Sequence, residues 1–180
     1  MSRIAQIREE LGGVHPLAAK KVKNYLEPYV RAFIESASFA VMASADSKGN
    51  CDASPKGGKP GFVQVIDDRT IFLPDVGGNR LFQSFENFES NPKAGFVFMI
   101  PGMEVTARVN GRVAIVEREE CGVRINVHNP DDNAILVQGI QLDIDEAYFH
   151  CPRSMQFADL WNEETIKLNK ARSIKSLKDE

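Results

Sequence analysis

The chain has 180 residues, 43% apolar and 26% charged, which is the balance of an ordinary folded protein long enough to bury one real core. Its formal charge of −3 gives no general pull toward nucleic acid or an anionic membrane surface. No apolar run approaches the ~18 residues of a membrane span, and the start, Met1-Ser2-Arg3-Ile4, lacks the apolar core of a secretory signal.

Residues 1 to 12 are expected to form a short helix ahead of Gly12-Gly13. From 16 to 36, Val22, Tyr25, Leu26, Tyr29 and Phe33 recur at helical spacing and predict one apolar stripe. Pro28 lies inside that pattern and should kink or split the helix, because proline removes a backbone donor and clashes with the preceding turn. The spacing then changes to that of strands. Phe39 to Ala45 is read as a strand, Asp46-Ser47-Lys48-Gly49-Asn50 as a turn, and Cys51 to Lys56 as the partner strand. Gly57-Gly58-Lys59-Pro60-Gly61 interrupts it, and Phe62 to Ile66 with Thr70 to Pro74 form a second hairpin around Asp67-Asp68-Arg69.

A helix is predicted from about Arg80 to Ser90, buried through Leu81, Phe82, Phe85 and Phe88 and stopped by Asn91-Pro92. Ala94 to Ile100 is almost wholly apolar, as a central strand would be. Between Val105 and Val116, Val105, Ala107, Val109, Val113 and Ile115 point one way, while Thr106, Arg108, Asn110 and Arg112 point the other. Glu117-Arg118-Glu119-Glu120 is read as the solvated start of a short helix, and a last long strand runs from about Ala134 to His150 with Gly139 as a candidate bulge. Residues 152 to 170 are predicted helical around Met155, Phe157, Leu160 and Trp161.

These elements make a mainly β fold with flanking helices, and a closed barrel would leave no sheet edge exposed. The expected organisation is a helical arm over residues 1–37, a barrel over 38–151 and a helical segment over 152–180, within a single domain. Three cysteines, Cys51, Cys121 and Cys151, stand at unrelated spacings and suit a reduced, cytoplasmic protein.

Arg80 follows Gly77-Gly78-Asn79 at the expected helix start, where free amides and the helix dipole favour an anion and a guanidinium fork suits phosphate. The alternative is an arginine that decorates a helix cap. Ser54 and Lys56 precede Gly57-Gly58, where backbone can approach a ligand, or where a solvated lysine simply sits in a turn. The face carrying Thr106, Arg108, Asn110 and Arg112 is solvent-exposed, or lines a site or interface.

No hydrolytic or metal site is expected. His150 and Cys151 are adjacent and point apart on a strand, and His15, His128 and His150 have no zinc-like spacing. The carboxylate pairs Asp67-Asp68 and Asp131-Asp132 fall in expected turns, and Gly77-Gly78 lacks a dinucleotide fingerprint. Without a basic patch interleaved with aromatics, nucleic-acid binding is not expected either. Phosphate anchors without a resident acid, base, nucleophile or metal suggest that a bound cofactor performs the reaction. Catalytic residues are not assigned.

The order of Ser54-Pro55-Lys56-Gly57, Leu73-Pro74-Asp75, Gly78-Asn79-Arg80, Asn91-Pro92 and Arg108-Val109-Asn110-Gly111-Arg112 resembles the pyridoxamine 5'-phosphate oxidase-like FMN-binding proteins over roughly residues 38 to 162. The likeness is strongest to an uncharacterised bacterial branch regarded as FMN-dependent. It implies a split β-barrel, a homodimer, and FMN at sites shared between subunits, with a small-molecule substrate. It places the phosphate on Asn79 and Arg80, with Ser84 one turn on, further cofactor contacts at Pro74 and Asp75, and Thr106 where a partner-subunit glutamine reaches the flavin. Arg108 lies on that same strand and belongs to the implied cofactor set.

The oxidases' C-terminal substrate-phosphate motif is absent, which argues against vitamin B6 oxidase activity. The expected function is an FMN-dependent oxidoreductase moving hydride or electrons to or from a small soluble substrate. The alternatives are a non-catalytic flavin-, deazaflavin- or haem-binding barrel, with His150 as the haem ligand, and an interaction module whose polar strand face is a dimer contact.

Overall fold

Pro28 begins a helix rather than bending one. A computed structural model of the chain describes residues 1–14, 16–78, 80–121 and 135–172, with the side chains at 17–19 excepted. In it α1 spans Arg3–Glu10, α2 spans Pro16–Lys21 and α3 spans Pro28–Ser36. The expected helix over 16–36 is therefore two helices. Proline is well placed in a first turn, where its missing N–H has no partner to lose. Between α2 and α3, Lys23 forms a bridge to Ala147 instead of continuing the helix. The stripe is interrupted accordingly: Leu26, Val30, Phe33 and Ile34 are buried, but Tyr29 is exposed.

The strands are β1 (Phe39–Ala45), β2 (Cys51–Gly57), β3 (Gln64–Val65), β4 (Thr70–Val76), β5 (Lys93–Met99), β6 (Thr106–Glu117) and β7 (Leu136–His150). The turn between β1 and β2 is made by Asp46, whose carboxylate accepts from the amides of Lys48 and Asn50 at 2.8 Å each, while Gly49 takes φ +89°. All seven strands form one antiparallel sheet in the order β2-β1-β5-β6-β7-β4-β3. The outermost strands, β2 and β3, are not bonded to each other. The barrel is thus split, and the closed form expected from strand count alone is corrected.

Its core comes from alternate residues of the strands, led by Met42, Phe96, Phe98, Val109, Ile140 and Leu142. Burying a ring such as Phe96 or Phe98 is worth about 2–3 kcal/mol over leaving it in water. Among the described residues three helices remain: α4 (Gln83–Ser90), α5 (Arg153–Phe157) and α6 (Glu163–Lys170).

Several expectations are corrected. The helix expected from Arg80 starts at Gln83, because Arg80 (φ +62°) and Phe82 (φ +50°) are left-handed and turn the chain first. Phe85 and Phe88 are buried, whereas Leu81 and Phe82 are exposed. Gly139 is not a bulge. It pairs regularly with Pro74 and Val116, and a Cβ there would lie 2.3 Å from the Phe72 ring, so close packing explains the glycine. The register shifts instead at Asp75/Val76, which leaves Val137 unpaired, and at Asn110/Gly111, which leaves Asp145 unpaired.

On β6, Ala107, Val109 and Val113 are buried as expected, but Ile115 is exposed and Thr106 is only 5% exposed. Residues 118–121 turn away from the end of β6 and bury Cys121, and the continuation of the short helix expected here lies outside the described residues. The expected C-terminal helix is two short ones, tied down where Trp161 Nε1 donates to the Met103 carbonyl at 2.9 Å. His15, Asn79, His128, Asp131, Asp132 and the expected strand start at Ala134 lie outside the described residues.

Candidate functional site

Alternation along β2 puts Asp52, Ser54 and Lys56 opposite Ser44, Met42 and Ala40, the inward-facing residues of β1. Alternation along β4 likewise puts Asp75 on the same face as buried Ile71 and Leu73. At one end of the barrel these polar groups meet the segment entering α4. Together they line a pocket of about 300 Å³ formed by residues of β2, Asp75 and Val76 of β4, Gly78, and the run from Arg80 to Phe85. Ser54, Lys56, Asp75, Arg80 and Ser84, all anticipated from sequence, converge there. Pro74 alternates to the opposite face, against Gly139. Thr106 and Arg108 are elsewhere, on β6.

Two cations and two carboxylates share this pocket, and their environments differ. Among the described residues Arg80 is exposed and pairs with no carboxylate. Burial pushes the Asp75 carboxyl above the usual carboxylate range, opposed in part by Lys56 and by a hydrogen bond with the Gln138 side chain. Burial thus makes its negative charge less favourable than it would be in water, which weakens its competition with an incoming anion. Asp52 is tied differently: buried Ser84 donates its hydroxyl proton to the Asp52 carboxylate. Ser84 has a single proton to give, so this bond competes with any it could make to phosphate.

Arg80 does not sit on a helix N-terminus, and its fit to a phosphate rests on its own guanidinium rather than on the helix dipole. Sequence reading missed Asp52 and Gln138. Asp52 shares strand parity with Ser54 and Lys56, which is the signal that could have found it; Gln138 depends on the pairing of β4 with β7.

The outer face of the same strands is apolar. Phe39, Val41 and Ala43 of β1 lie beside Ala53 and Pro55 of β2 on one side and Val97 and Met99 of β5 on the other. One row crosses five strands, from Pro55 through Val41 and Val97 to Arg108 and Tyr148. An antiparallel sheet that faces water on one side usually alternates apolar and polar residues, and here both faces of β1 are apolar. Helix α4 covers only the inner side, through Ser84 to Asp52 and Asn87 to Ser44. Among the described residues, no three His, Cys, Asp or Glu side chains converge as metal ligands, and no helix is long and apolar enough to cross a membrane.

The family model described as pyridoxamine 5'-phosphate oxidase matches residues 26–151. Among solved structures, a pyridoxamine 5'-phosphate oxidase candidate from Lactobacillus delbrueckii aligns with TM-score 0.54 at 18% identity, covering 71% of this chain and 98% of its own. A single-substitution variant of HupZ from Group A Streptococcus aligns with TM-score 0.50 at 17% identity, over 69% of this chain and 98% of that one. An F420 reductase aligns with TM-score 0.50 at 12% identity, over the same shares, 69% and 98%. Identities this low speak to fold alone. No curated protein matches the chain.

Proposed function

The chain belongs to the pyridoxamine 5'-phosphate oxidase family, and from that premise we propose that it is an FMN-dependent oxidoreductase acting as a homodimer on a small soluble substrate. The observation that carries this reading is the convergence of Ser54 and Lys56 of β2 with Arg80, from the segment entering α4, on one pocket. Arg80 holds the phosphate through its guanidinium fork, and Lys56 supplies a point charge nearby that also offsets negative charge on the reduced cofactor. Ser54 donates a hydroxyl hydrogen bond. When bound, FMN supplies the hydride or electron chemistry that none of the pocket's own side chains provides.

The pocket's volume is at the lower end for small-molecule sites. A tricyclic ring with a ribityl phosphate needs further walls, and a second copy packed on the apolar outer face of β1, β2 and β5 would supply them. That face adjoins the pocket through Pro55, which belongs to both. Arg108 lies beside Val97 at the border of that face, outside the pocket. Thr106 is buried within its own chain, so we keep it out of the cofactor site.

Three measurements test the proposal. Purified protein should be yellow or should take up added FMN with measurable heat, should sediment as a dimer, and should oxidise a nicotinamide donor steadily. Colourless monomers that ignore FMN would overturn it, and binding without turnover would leave a flavin carrier.

A further inference from the structure

Away from the pocket, β6 and β7 gather basic groups around one phenol ring. Arg108 and Tyr148 are register partners, with the guanidinium carbon 5.5 Å from the ring centroid. Lys21 Nζ, at the end of α2, lies 5.3 Å from the same centroid. Lys21 is held there because Lys23 and Ala147 exchange backbone hydrogen bonds of 3.1 and 2.6 Å, which pins the chain after α2 onto β7. His150 follows Tyr148 on the same strand face, opposite Thr106.

No described carboxylate pairs with either cation. The acid on this side of β7, Glu146, already accepts from Asn110 at 2.9 Å. The Nε of Arg108 is buried and has no hydrogen-bond partner among the described residues. One ring face attracts a cation, but two cations at one ring repel each other, and an orphaned buried donor is costly. An anion set between them would relieve both penalties. The imidazole of His150 feels the same field: burial first, then Arg108 and Lys21, hold it below its usual range.

We propose that Lys21, Arg108 and His150 form a binding site beside Tyr148 for a small oxyanion, the phosphate or carboxylate of a substrate. The site is separate from the Lys56–Arg80 pocket: three strand steps lie between Pro55 and Arg108, or roughly 14 Å. Calling the oxyanion part of a substrate rests on the oxidoreductase reading; the site itself does not.

The experiment is calorimetric titration of the full-length protein with inorganic phosphate, and in parallel with acetate, before and after saturation with FMN. Wild type should bind phosphate or acetate in both conditions, and the tighter of the two identifies the ligand group. Lys21→Gln and Arg108→Gln should each weaken it about tenfold, the effect of losing one charge-assisted bond. Lys21→Gln should also keep wild-type FMN affinity and unfolding midpoint. Absence of binding, binding abolished by FMN, or binding indifferent to Lys21→Gln would overturn the proposal. If the protein takes up no FMN yet binds phosphate through Lys21, the anion site stands and the flavin reading falls.

Discussion

The hydroxyl of Ser84 gives its proton to the carboxylate of Asp52, joining α4 to β2 inside the pocket. That bond makes Ser84 structural before it is anything else. Ser84→Ala should cost about 1–2 kcal/mol of stability, because it takes a donor from a charged acceptor. FMN affinity should barely change. Urea unfolding and FMN calorimetry on the same preparation check both; a loss of FMN affinity of about tenfold would put Ser84 on the phosphate instead.

Arg80 combines a ligand-facing charge with an unfavourable backbone at φ +62°. Arg80→Ala should weaken FMN by roughly 2–4 kcal/mol. Arg80→Gly should lose the same affinity yet be more stable than the alanine variant by about 1 kcal/mol, because glycine adopts positive φ without Cβ strain. Comparing the two separates the guanidinium's contribution from that of the backbone.

Burial of Asp75 ties stability to pH. Its carboxyl titrates above its ordinary range in the folded state, so the folded protein holds its proton more tightly than the unfolded chain does. That contribution to stability is complete below the ordinary aspartate value and is lost as pH rises through the raised one. Asp75→Asn removes the loss. The stability difference between Asp75→Asn and wild type should grow in favour of the variant from pH ~4 upward and then level off. A difference that is flat with pH in urea titrations would refute this.

Gly111 sits opposite the register shift in β7, and a Cβ there would lie 2.1 Å from the Asp143 backbone oxygen. Backbone in the middle of a sheet cannot retreat cheaply. Gly111→Ala should therefore destabilise by about 3 kcal/mol, at the upper end of overpacking effects. Thermal unfolding checks it.

Val97 lies in the middle of the apolar outer row, between Val41 and Arg108. A lysine there puts a charge where the second copy is proposed to pack, without entering the core. Val97→Lys should sediment as a folded monomer and lose bound FMN. A dimer that persists with its flavin would place the interface elsewhere.

The strands were legible because alternation is a local signal: Phe39–Ala45 and the inward residues Ala107, Val109 and Val113 stand where their spacing puts them. The start of α4 was not legible. Arginine and phenylalanine rarely take positive φ, and nothing in Gly78-Asn79-Arg80-Leu81-Phe82 marks the turn. The pocket was half legible. Ser54, Lys56 and Arg80 carry visible chemistry, whereas Asp52 becomes important only once Ser84 is folded against it. The cluster at Tyr148 was illegible, since Lys21 reaches that ring only through a bridge between residues 23 and 147.

Asp145, which has no register partner on β6 although its carboxylate accepts from Lys93 Nζ at 2.6 Å, governs more than its own position. Before it, Ile140, Leu142 and Ile144 face the core; after it, Ala147 is buried and Phe149 packs inward, so odd numbers have replaced even ones. A strand keeping one continuous beat would have sent Tyr148 and His150 indoors and Phe149 out to water. That single off-beat residue resets the alternation, so one ribbon gives hydrocarbon to the core along its first half and turns Tyr148 and His150 outward along its last.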